Sequence, residues 1–408
     1  MSKKPELLCP AGDRERFNAA LYFGADAIYL AGTEFGMRAA PGNFTEEALR
    51  SAVKEAHAKG VSIYLTCNTL PRNDEIERLP AFLEMAQDAG VDGFIVADIG
   101  VLSLCKQYAE KVPVHISTQA GIVNYQTANA FYNMGASRIV TARELSLEEI
   151  ATLRQKTPKA LEIECFVHGA MCVSFSGRCL LSNYLLNRDA NRGACAQPCR
   201  WEYALMEKNR EGMYFPIEQD KTGTYILNSK DMCMIEHIPE LVEAGIDSFK
   251  IEGRAKSAYY TAVVTNAYRA AIDGYLQNPS PKYTPEQWIL DEPYKVSYRE
   301  YCTGFYYGSP MENANISYQG GYCRSWEVMG VVLKTDGETV LMEQRNKFSV
   351  GDTLEILEKG KAPRPFTVTA MQNADGEDIK SAPHPMMQVK MPCTLSLPAG
   401  TIFRKQAQ

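Results

Sequence analysis

Apolar and polar positions alternate along the first two thirds of the chain in a repeated plan. Four segments share it: FGADAIYL (23–30), AGVDGFIV (89–96), MGASRIVT (134–141) and AGIDSFKI (244–251). In each, a glycine follows a helical pattern, a short turn comes next, and a β-rich run begins. Because glycine just after a helix can adopt the left-handed conformation that caps it, each copy predicts a helix, a cap and a buried strand.

Extending this pattern predicts eight strands with helices between them. The strands fall near 6–9, 27–31, 61–67, 93–97, 113–117, 138–142, 161–167 and 247–252, and the helices near 13–24, 45–59, 78–90, 100–111, 124–135, 146–156, 236–245 and 257–276. The strands are rich in Val, Ile and Leu, which is typical of parallel strands covered on both faces. Eight strand–helix units over about 270 residues match a (β/α)8 TIM-barrel-like domain, and an open doubly wound sheet is the alternative.

The rest of the chain follows different patterns. Residues 1–276 form the predicted α/β main domain, with a Cys-rich insertion at 168–224 and an extra run, 225–232, that is a ninth strand or part of a connection. Residues 277–325 are rich in Pro and polar side chains and are interpreted as a connector. From 326 to 408 short strands alternate with DG and GD turns, which predicts a small antiparallel β-barrel.

Composition narrows the cellular context. No apolar run approaches the length of a membrane span, and the N-terminus lacks the apolar core and cleavage site of a signal peptide, so we expect a cytoplasmic protein without a membrane partner. The net charge of −6 is unlike that of a dedicated nucleic-acid binder, although an acidic enzyme can hold RNA through a local patch. In a reducing compartment the twelve cysteines argue against a disulfide framework.

Polar side chains follow most of the predicted strands. In a (β/α)8 barrel the active site lies at the carboxyl ends of the strands. The residues at these ends are Arg38, Asn68, Asp98, Gln119, Arg143, Glu144, His168, Glu252 and Arg254. About half of them could simply cap the next helix, but their shared polarity predicts that this end of the barrel is the working face.

Six cysteines lie within 69 residues and require a chemical reason. They are Cys165, Cys172, Cys179, Cys195, Cys199 and Cys233. Packing explains a single buried cysteine but not this cluster in a loop. Structural zinc normally takes cysteines in pairs two to four residues apart, and only Cys195 and Cys199 have such an interval. The spacing therefore favours an iron–sulfur cluster while leaving zinc open.

The same segment carries a family resemblance. ECFVHGAMCVSFSGRCLLS (164–182) resembles the signature of the collagenase-like peptidase U-32 family, and LLCPAGD, NRGACAQPCRW (191–201), LNSKDMC (227–233) and FKIEGRAKSAYY (249–260) resemble other blocks of that family. The resemblance covers essentially the whole chain. It includes the small C-terminal β-domain found in the branch that converts the wobble uridine of tRNA to 5-hydroxyuridine.

The resemblance implies both a cofactor and a co-substrate. A [4Fe–4S] cluster would be held by Cys172, Cys179, Cys195 and Cys233, with Cys199 as a possible replacement for one of them. Cys165 falls at a variable position of the signature and is interpreted as a packed strand residue. Members of the branch are implied to hydroxylate without molecular oxygen, taking the hydroxyl oxygen from prephenate, and to act on the anticodon loop of tRNA.

The arginines suit that co-substrate. Prephenate carries two carboxylates, and arginine is the side chain best shaped for bidentate binding of such groups. The candidates are Arg38, Arg143, Arg178, Arg192 and Arg254, and the candidate catalytic set is Arg38, Arg143, His168, Glu252 and Arg254. Lys250 and Lys256 are expected to meet tRNA phosphates. Tyr184, Trp201 and Tyr203 are candidates for stacking on a base, with core packing as the alternative.

Two other classes of function stay open. A cysteine peptidase needs a thiolate beside an oriented histidine, and His168 lies four residues before Cys172, but nothing in the sequence identifies its orienting group. The chain contains neither H-E-x-x-H nor G-x-S-x-G. A non-catalytic RNA-binding accessory protein with a structural cluster is the remaining alternative.

Overall fold

The structure is a computed structural model. It describes residues 4–37, 42–172, 179, 181–186, 188, 193–198, 218–220, 223–225, 230–308 and 322–407. The predictions for several candidates fall outside the described residues and stay predictions. These candidates are Arg38, Arg178, Arg192, Cys199, Trp201, Tyr203 and the side chain of Tyr184.

Strands and helices alternate through the main domain. Its strands are β1 (Glu6–Pro10), β2 (Ala27–Leu30), β3 (Ser62–Cys67), β4 (Gly93–Val96), β5 (Val114–Ile116), β6 (Arg138–Val140), β7 (Glu162–Ala170), β8 (Glu218–Asp220), β9 (Gly223–Tyr225), β10 (Asp231–Cys233), β11 (Ser248–Ile251) and β12 (Tyr301–Cys302). The helices are α1 (Arg14–Phe23), α2 (Glu46–His57), α3 (Asn73–Ile76), α4 (Leu79–Asp88), α5 (Ile99–Tyr108), α6 (Tyr125–Asn133), α7 (Leu147–Gln155), α8 (Leu181–Leu186), α9 (Ile238–Glu243), α10 (Ala258–Gln277) and α11 (Gln287–Asp291).

The strands β1–β7 and β11 close into a parallel barrel, because β11 pairs with both β1 and β7. The predicted TIM-barrel-like α/β fold is therefore confirmed. The uncertain run after 224 contributes β10, which pairs antiparallel with β7 and places Cys233 opposite His168. Since β10 does not take part in barrel closure, it is an extra strand of the sheet and not a ninth barrel strand.

Local chemistry explains why the elements begin and end where they do. The repeat glycines Gly24, Gly90, Gly135 and Gly245 have φ values of 100°, 83°, 99° and 78°, the left-handed conformation that the repeat predicts. Helix α7 begins at a capping box, in which Ser146 accepts a hydrogen bond from the backbone N–H of Glu149 while the Glu149 carboxylate accepts one from Ser146. Caps of this kind mark where these helices begin and end, and the barrel strands that follow the repeat glycines are buried.

The C-terminal domain is an antiparallel sheet with its own apolar core. Its strands are β13 (Trp326–Asp336), β14 (Thr339–Gln344), β15 (Phe348–Ser349), β16 (Thr353–Leu357), β17 (Arg364–Thr367), β18 (Ser381–Ala382), β19 (Gln388–Pro392) and β20 (Ile402–Gln406). Six of them form one sheet in the order β17-β16-β20-β13-β14-β19, and β15 pairs with β18. In this fully described region β17 and β19 do not pair with each other, so the predicted small barrel is an open half-barrel.

The sheet is fixed to the main domain through buried polar contacts. Arg404 on β20 donates to both carboxylate oxygens of Glu292, at 2.7 and 2.5 Å, and both side chains are fully buried. Asn266 on α10 donates to the carbonyl of Glu358 at 3.3 Å and accepts from the N–H of Gly360 at 2.7 Å. These contacts place one end of the sheet beside the barrel mouth.

In the part of the chain that the structure describes, none of the helices has both the length and the apolar character that a bilayer crossing needs.

Candidate functional site at the barrel mouth

A cavity of about 770 Å³ opens at the carboxyl ends of the barrel strands. Its lining comes from the strand ends, from the Cys-rich insertion, from the connector and from the C-terminal sheet, which contributes Trp326, Glu327, Val328 and Asn346. This volume is in the range of small-molecule sites. The prediction that this end is the working face agrees with the position of the cavity, and the contribution of the sheet is a feature that sequence reasoning missed.

The cavity carries an excess of positive charge. Its described lining includes five cationic side chains, Arg143, Lys250, Arg254, Lys256 and Arg324, against three carboxylates, Glu144, Glu252 and Glu327. The whole chain has a net charge of −6. A locally positive concave surface on an acidic protein attracts anionic ligands, because a low-dielectric wall focuses the field into the cleft.

Two of the predicted site residues, Arg143 and Glu252, lie close together. Arg143 Nη1 donates to the carbonyl oxygen of Ala170 at 2.7 Å, and its Nη2 lies 4.0 Å from Glu252 Oε2. The guanidinium carbon is 3.8 Å from the centre of the Phe166 ring. The hydroxyl of Tyr29 donates to Glu252 Oε2 at 3.4 Å. The aromatic ring and the backbone carbonyl together hold Arg143 over one side of the cavity.

Arg254 reaches the same cavity from the segment that follows β11. It is buried, and its Nη1 donates to Thr66 Oγ1 at 3.3 Å while its Nη2 donates to Asn43 Oδ1 at 2.8 Å. These partners come from β3 and from the connection after β2, so the guanidinium is fixed across the barrel mouth. The structure therefore brings Arg143, Glu252 and Arg254 of the predicted set into one cavity.

His168 lies elsewhere, outside the described cavity lining. It is buried among the rings of Tyr260, Tyr268 and Tyr301, at centroid distances of 5.9, 5.4 and 5.3 Å. Burial lowers its pKa to about 3, so the imidazole is neutral at physiological pH. Its Nε2 lies 3.5 Å from the hydroxyl of Tyr301, and its Nδ1 makes no hydrogen bond to any described residue. A thiol–imidazole pair with Cys172, which a cysteine peptidase would need, is not part of the described geometry.

Three of the four predicted cluster ligands line the cavity: Cys172, Cys179 and Cys195. Thiols are the donors that an iron–sulfur cluster requires, so the chemistry of these side chains suits the group. Cys165 is fully buried, with its sulfur 3.2 Å from Thr141 Oγ1, as expected for a packed strand residue.

Cys233 is placed differently. It lies on β10 opposite His168, outside the described cavity lining, and burial raises the pKa of its thiol to about 12. Among the described residues no group of three or more His, Cys, Asp and Glu side chains is arranged to hold a metal ion. The described arrangement therefore brings Cys172, Cys179 and Cys195 to one cavity without assembling a metal-binding set, and Cys233 lies outside that cavity lining.

The sequence predicts that Lys250 meets tRNA phosphates, but the structure buries this residue inside the barrel. Lys250 is only 5% exposed and lines the cavity, and its Nζ donates to Glu164 Oε1 at 2.5 Å. A side chain buried inside the barrel cannot meet a tRNA phosphate at the surface. In β11 polar Ser248 and Lys250 alternate with Phe249 and Ile251, which separates two faces of the strand but does not indicate which face points into the barrel.

An eight-stranded parallel barrel with a cationic, thiol-lined mouth has the architecture of a barrel enzyme that acts on anionic ligands. Comparison with known families makes this specific. Residues 12–316 match the family model described as Peptidase family U32, and residues 324–404 match the Peptidase family U32 C-terminal domain. The chain belongs to the peptidase U32 family, as the sequence resemblance predicts.

Curated relatives match nearly the whole chain. tRNA hydroxylation protein P1 of Bacillus subtilis is 36% identical over 99% of this chain and 96% of its own length. tRNA hydroxylation protein P of Escherichia coli is 35% identical over 93% of this chain and 92% of its own length. A relative from Methanocaldococcus jannaschii, described as an uncharacterized protease, is 39% identical over 90% of each chain.

Proposed function

We propose that the chain is a tRNA-modifying enzyme that hydroxylates the wobble uridine to 5-hydroxyuridine, with prephenate as co-substrate and a [4Fe–4S] cluster as cofactor. The observation that carries the proposal is the cavity at the barrel mouth, where excess positive charge and three of the clustered thiols face the same space. Support for RNA hydroxylation comes from two relatives of nearly the same length, both named tRNA hydroxylation proteins.

Prephenate suits the cationic part of the site. Its two carboxylates call for two donors that stay charged, and guanidinium groups meet that need. Arg143 and Arg254 are both anchored by neighbouring groups, Arg143 by the Ala170 carbonyl and Arg254 by Thr66 and Asn43. Because little side-chain entropy is lost on binding, anchored arginines favour tight and oriented capture of the acid.

The cluster is assigned to the cysteines of the insertion. Cys172, Cys179 and Cys195 would supply three thiolates at the cavity, and Cys233 or Cys199 the fourth. When bound, a [4Fe–4S] cluster supplies one-electron transfer or a Lewis-acidic iron. The protein's own part is to bring the uracil base, the organic acid and these thiols to one cavity.

The RNA would approach over the rim of the cavity. Lys256 and Arg324 line it, and Lys256 Nζ lies 4.1 Å from the centre of the Tyr322 ring. A loop uridine can leave its stack and enter a pocket, while rim cations hold the neighbouring phosphates. Overall acidity does not oppose this mode, since only the mouth needs to be positive.

Nucleoside mass spectrometry of tRNA tests the proposal. A strain lacking the gene should lose wobble 5-hydroxyuridine, and the wild-type gene should restore it. Cys172→Ser, Cys179→Ser and Cys195→Ser should abolish both the iron content of anaerobically purified protein and the modification. Cys323→Ser is the matched control, because Cys323 is an exposed cysteine outside the insertion. Full modification by an iron-free Cys172→Ser protein, or casein cleavage that depends on these residues, would contradict the proposal.

The fourth ligand is resolved by a paired comparison. Iron and sulfide are measured in anaerobically purified Cys233→Ser and Cys199→Ser proteins. Loss of the cluster in only one of them assigns the ligand to that cysteine. Cys233 must lose its thiol proton to bind iron, and burial opposes this loss because it raises the pKa of the thiol.

A further inference from the structure

The ammonium group of Lys250 has more N–H donors than described acceptors. An ammonium carries three N–H donors. Among the described residues, Lys250 Nζ has one hydrogen-bond acceptor, Glu164 Oε1 at 2.5 Å. Its other neighbours are aromatic faces, with the ring centres of Tyr29 at 4.6 Å and Phe166 at 5.5 Å. With only 5% of the residue exposed, the remaining donors have little access to water and face the cavity.

Lys250 belongs to an ion-pair network of two cations, Lys250 and Arg138, and three carboxylates. Glu164 is fully buried and also accepts from Arg138 Nη1 at 3.1 Å, and Arg138 is itself buried. These three buried groups comprise two cations and one anion. The other carboxylates around Arg138, Glu6 and Glu162, are partly exposed, with side-chain exposures of 20% and 33%. The network is therefore charge-compensated as a whole, with Glu6 and Glu162 paired to Arg138 and with Glu164 shared by Arg138 and Lys250.

A purely structural ion pair would look different. Buried charged groups normally satisfy their hydrogen-bonding capacity, since each unmet donor costs free energy. Among the described charged residues of the barrel network, Lys250 is the one that also lines the cavity, and Arg138 and Glu164 do not. The network thus fixes an incompletely satisfied ammonium at the floor.

We infer that Lys250 binds a carboxylate of the small organic acid that enters the barrel. Phe166 links it to the arginine already assigned to the acid, because the Phe166 ring centre lies 3.8 Å from Arg143 Cζ and 5.5 Å from Lys250 Nζ. Lys250 therefore joins Arg143 and Arg254 as a third cation for the two carboxylates of a single ligand. The identity of the acid as prephenate rests on the proposed function.

Calorimetric titration of the full chain with prephenate tests the inference. Glu164→Gln is the reference background, because removing Lys250 alone would leave the Glu164 carboxylate underpaired. Lys250→Met and Lys250→Gln are each made in that background, so that a folded comparison is available. Lys361→Met, whose side chain is 64% exposed on the C-terminal domain, is the matched control.

Glu164→Gln should retain prephenate affinity within about threefold, because the ammonium stays at the floor. Adding Lys250→Met or Lys250→Gln should weaken affinity roughly ten- to hundredfold, the effect of losing a charged hydrogen bond. In tRNA hydroxylation assays the KM for prephenate should rise while the KM for tRNA stays unchanged. Lys361→Met should match wild type in both.

The possible failures are distinguishable. Equal prephenate affinity in the Glu164→Gln protein with and without Lys250 overturns the role of Lys250 alone. A wild-type chain that does not bind prephenate overturns the co-substrate assignment together with this inference. A rise in the KM for tRNA alone would show that Lys250 acts on the RNA and not on the acid.

Discussion

Two buried ion clusters of this protein differ in whether their hydrogen-bonding capacity is used up. At the junction between the domains, Arg404 donates to both oxygens of Glu292 and also to Glu355 Oε2 at 2.7 Å. Inside the barrel, Lys250 has one described acceptor and faces a cavity. In the first cluster the arginine donates to two carboxylates, whereas in the second the lysine keeps N–H groups that have no described acceptor and face the cavity.

The difference separates stability from binding. A closed bidentate pair contributes mainly by avoiding the cost of an uncompensated buried charge, so removing one partner lowers the free energy of unfolding. An open cation beside a cavity contributes to ligand affinity, since a ligand supplies the missing acceptor. Substitution in the first cluster should therefore lower the free energy of unfolding, and substitution of the lysine in the second should lower ligand affinity.

Arg404→Met gives the largest expected change. It leaves Glu292 buried without its bidentate partner and should lower the free energy of unfolding by about 3–5 kcal/mol, measured by urea denaturation. Prephenate affinity of the folded protein should stay within about threefold of wild type. A protein of unchanged stability that loses prephenate binding would reverse the roles assigned to the two clusters.

His168 sharpens the comparison because burial, and not an ion partner, sets its state. Its pKa is lowered to about 3, whereas an unfolded histidine titrates near 6.5. Below pH 6.5 the unfolded chain takes up a proton that the folded chain does not, so this contribution to stability is lost as the pH falls. Between pH 7 and pH 5 the loss should be about 2 kcal/mol.

Urea denaturation of His168→Gln at both pH values measures this contribution. The difference in unfolding free energy between pH 7 and pH 5 should be smaller than in wild type by that amount. An unchanged difference would show that His168 accepts a proton in the folded state. His115 is also buried, and its pKa is lowered. Because both proteins contain His115, its contribution cancels when wild type and variant are compared.

The paired replacement Lys250→Met with Glu164→Gln should change stability by less than about 1.5 kcal/mol. Removing both charges together leaves no uncompensated group, and Arg138 keeps Glu6 and Glu162 as partners. Urea denaturation provides the measurement. A stability loss as large as that of Arg404→Met would make the barrel cluster structural as well.

Arg345→Met gives the smallest expected change. Arg345 connects the two domains through Glu15 at 2.9 Å, but the Glu15 side chain is 58% exposed. Solvent-exposed pairs contribute little, so the free energy of unfolding should fall by no more than about 1 kcal/mol. A loss of several kcal/mol would mean that exposed and buried contacts at the junction are equivalent.

Much of the fold could be predicted from the chain alone because its signals are local. The repeat glycines and helix caps act within a few residues. They mark where a helix ends and the next strand begins, so the strands that close the barrel could be predicted in chain order. The site was partly predictable for the same reason, since Arg143, Glu252 and Arg254 follow strand ends. Thiol spacing and family resemblance pointed to Cys172, Cys179 and Cys195, which line the cavity.

The features that were missed depend on long-range packing. Polar residues alternating in a strand usually face solvent, but in β11 they face the barrel interior, and this reversal placed Lys250 at the floor. The contribution of Trp326 and Asn346 to the cavity depends on how the C-terminal sheet packs against α10 and the connector. The hydrophobic periodicity of the C-terminal strands and that of α10 do not encode how these elements pack together.

The most direct measurement of the central claim is the amount of 5-hydroxyuridine in tRNA from a deletion strain that expresses either wild-type protein or Arg254→Met. Arg254 lies in the cavity and is not one of the proposed cluster ligands, so the purified variant should retain its iron. The account predicts full modification with wild type and a loss of at least about tenfold with the folded variant, the size expected for a lost charged contact. Full modification by a folded, iron-containing Arg254→Met protein would contradict the assignment of this cavity as the site of hydroxylation.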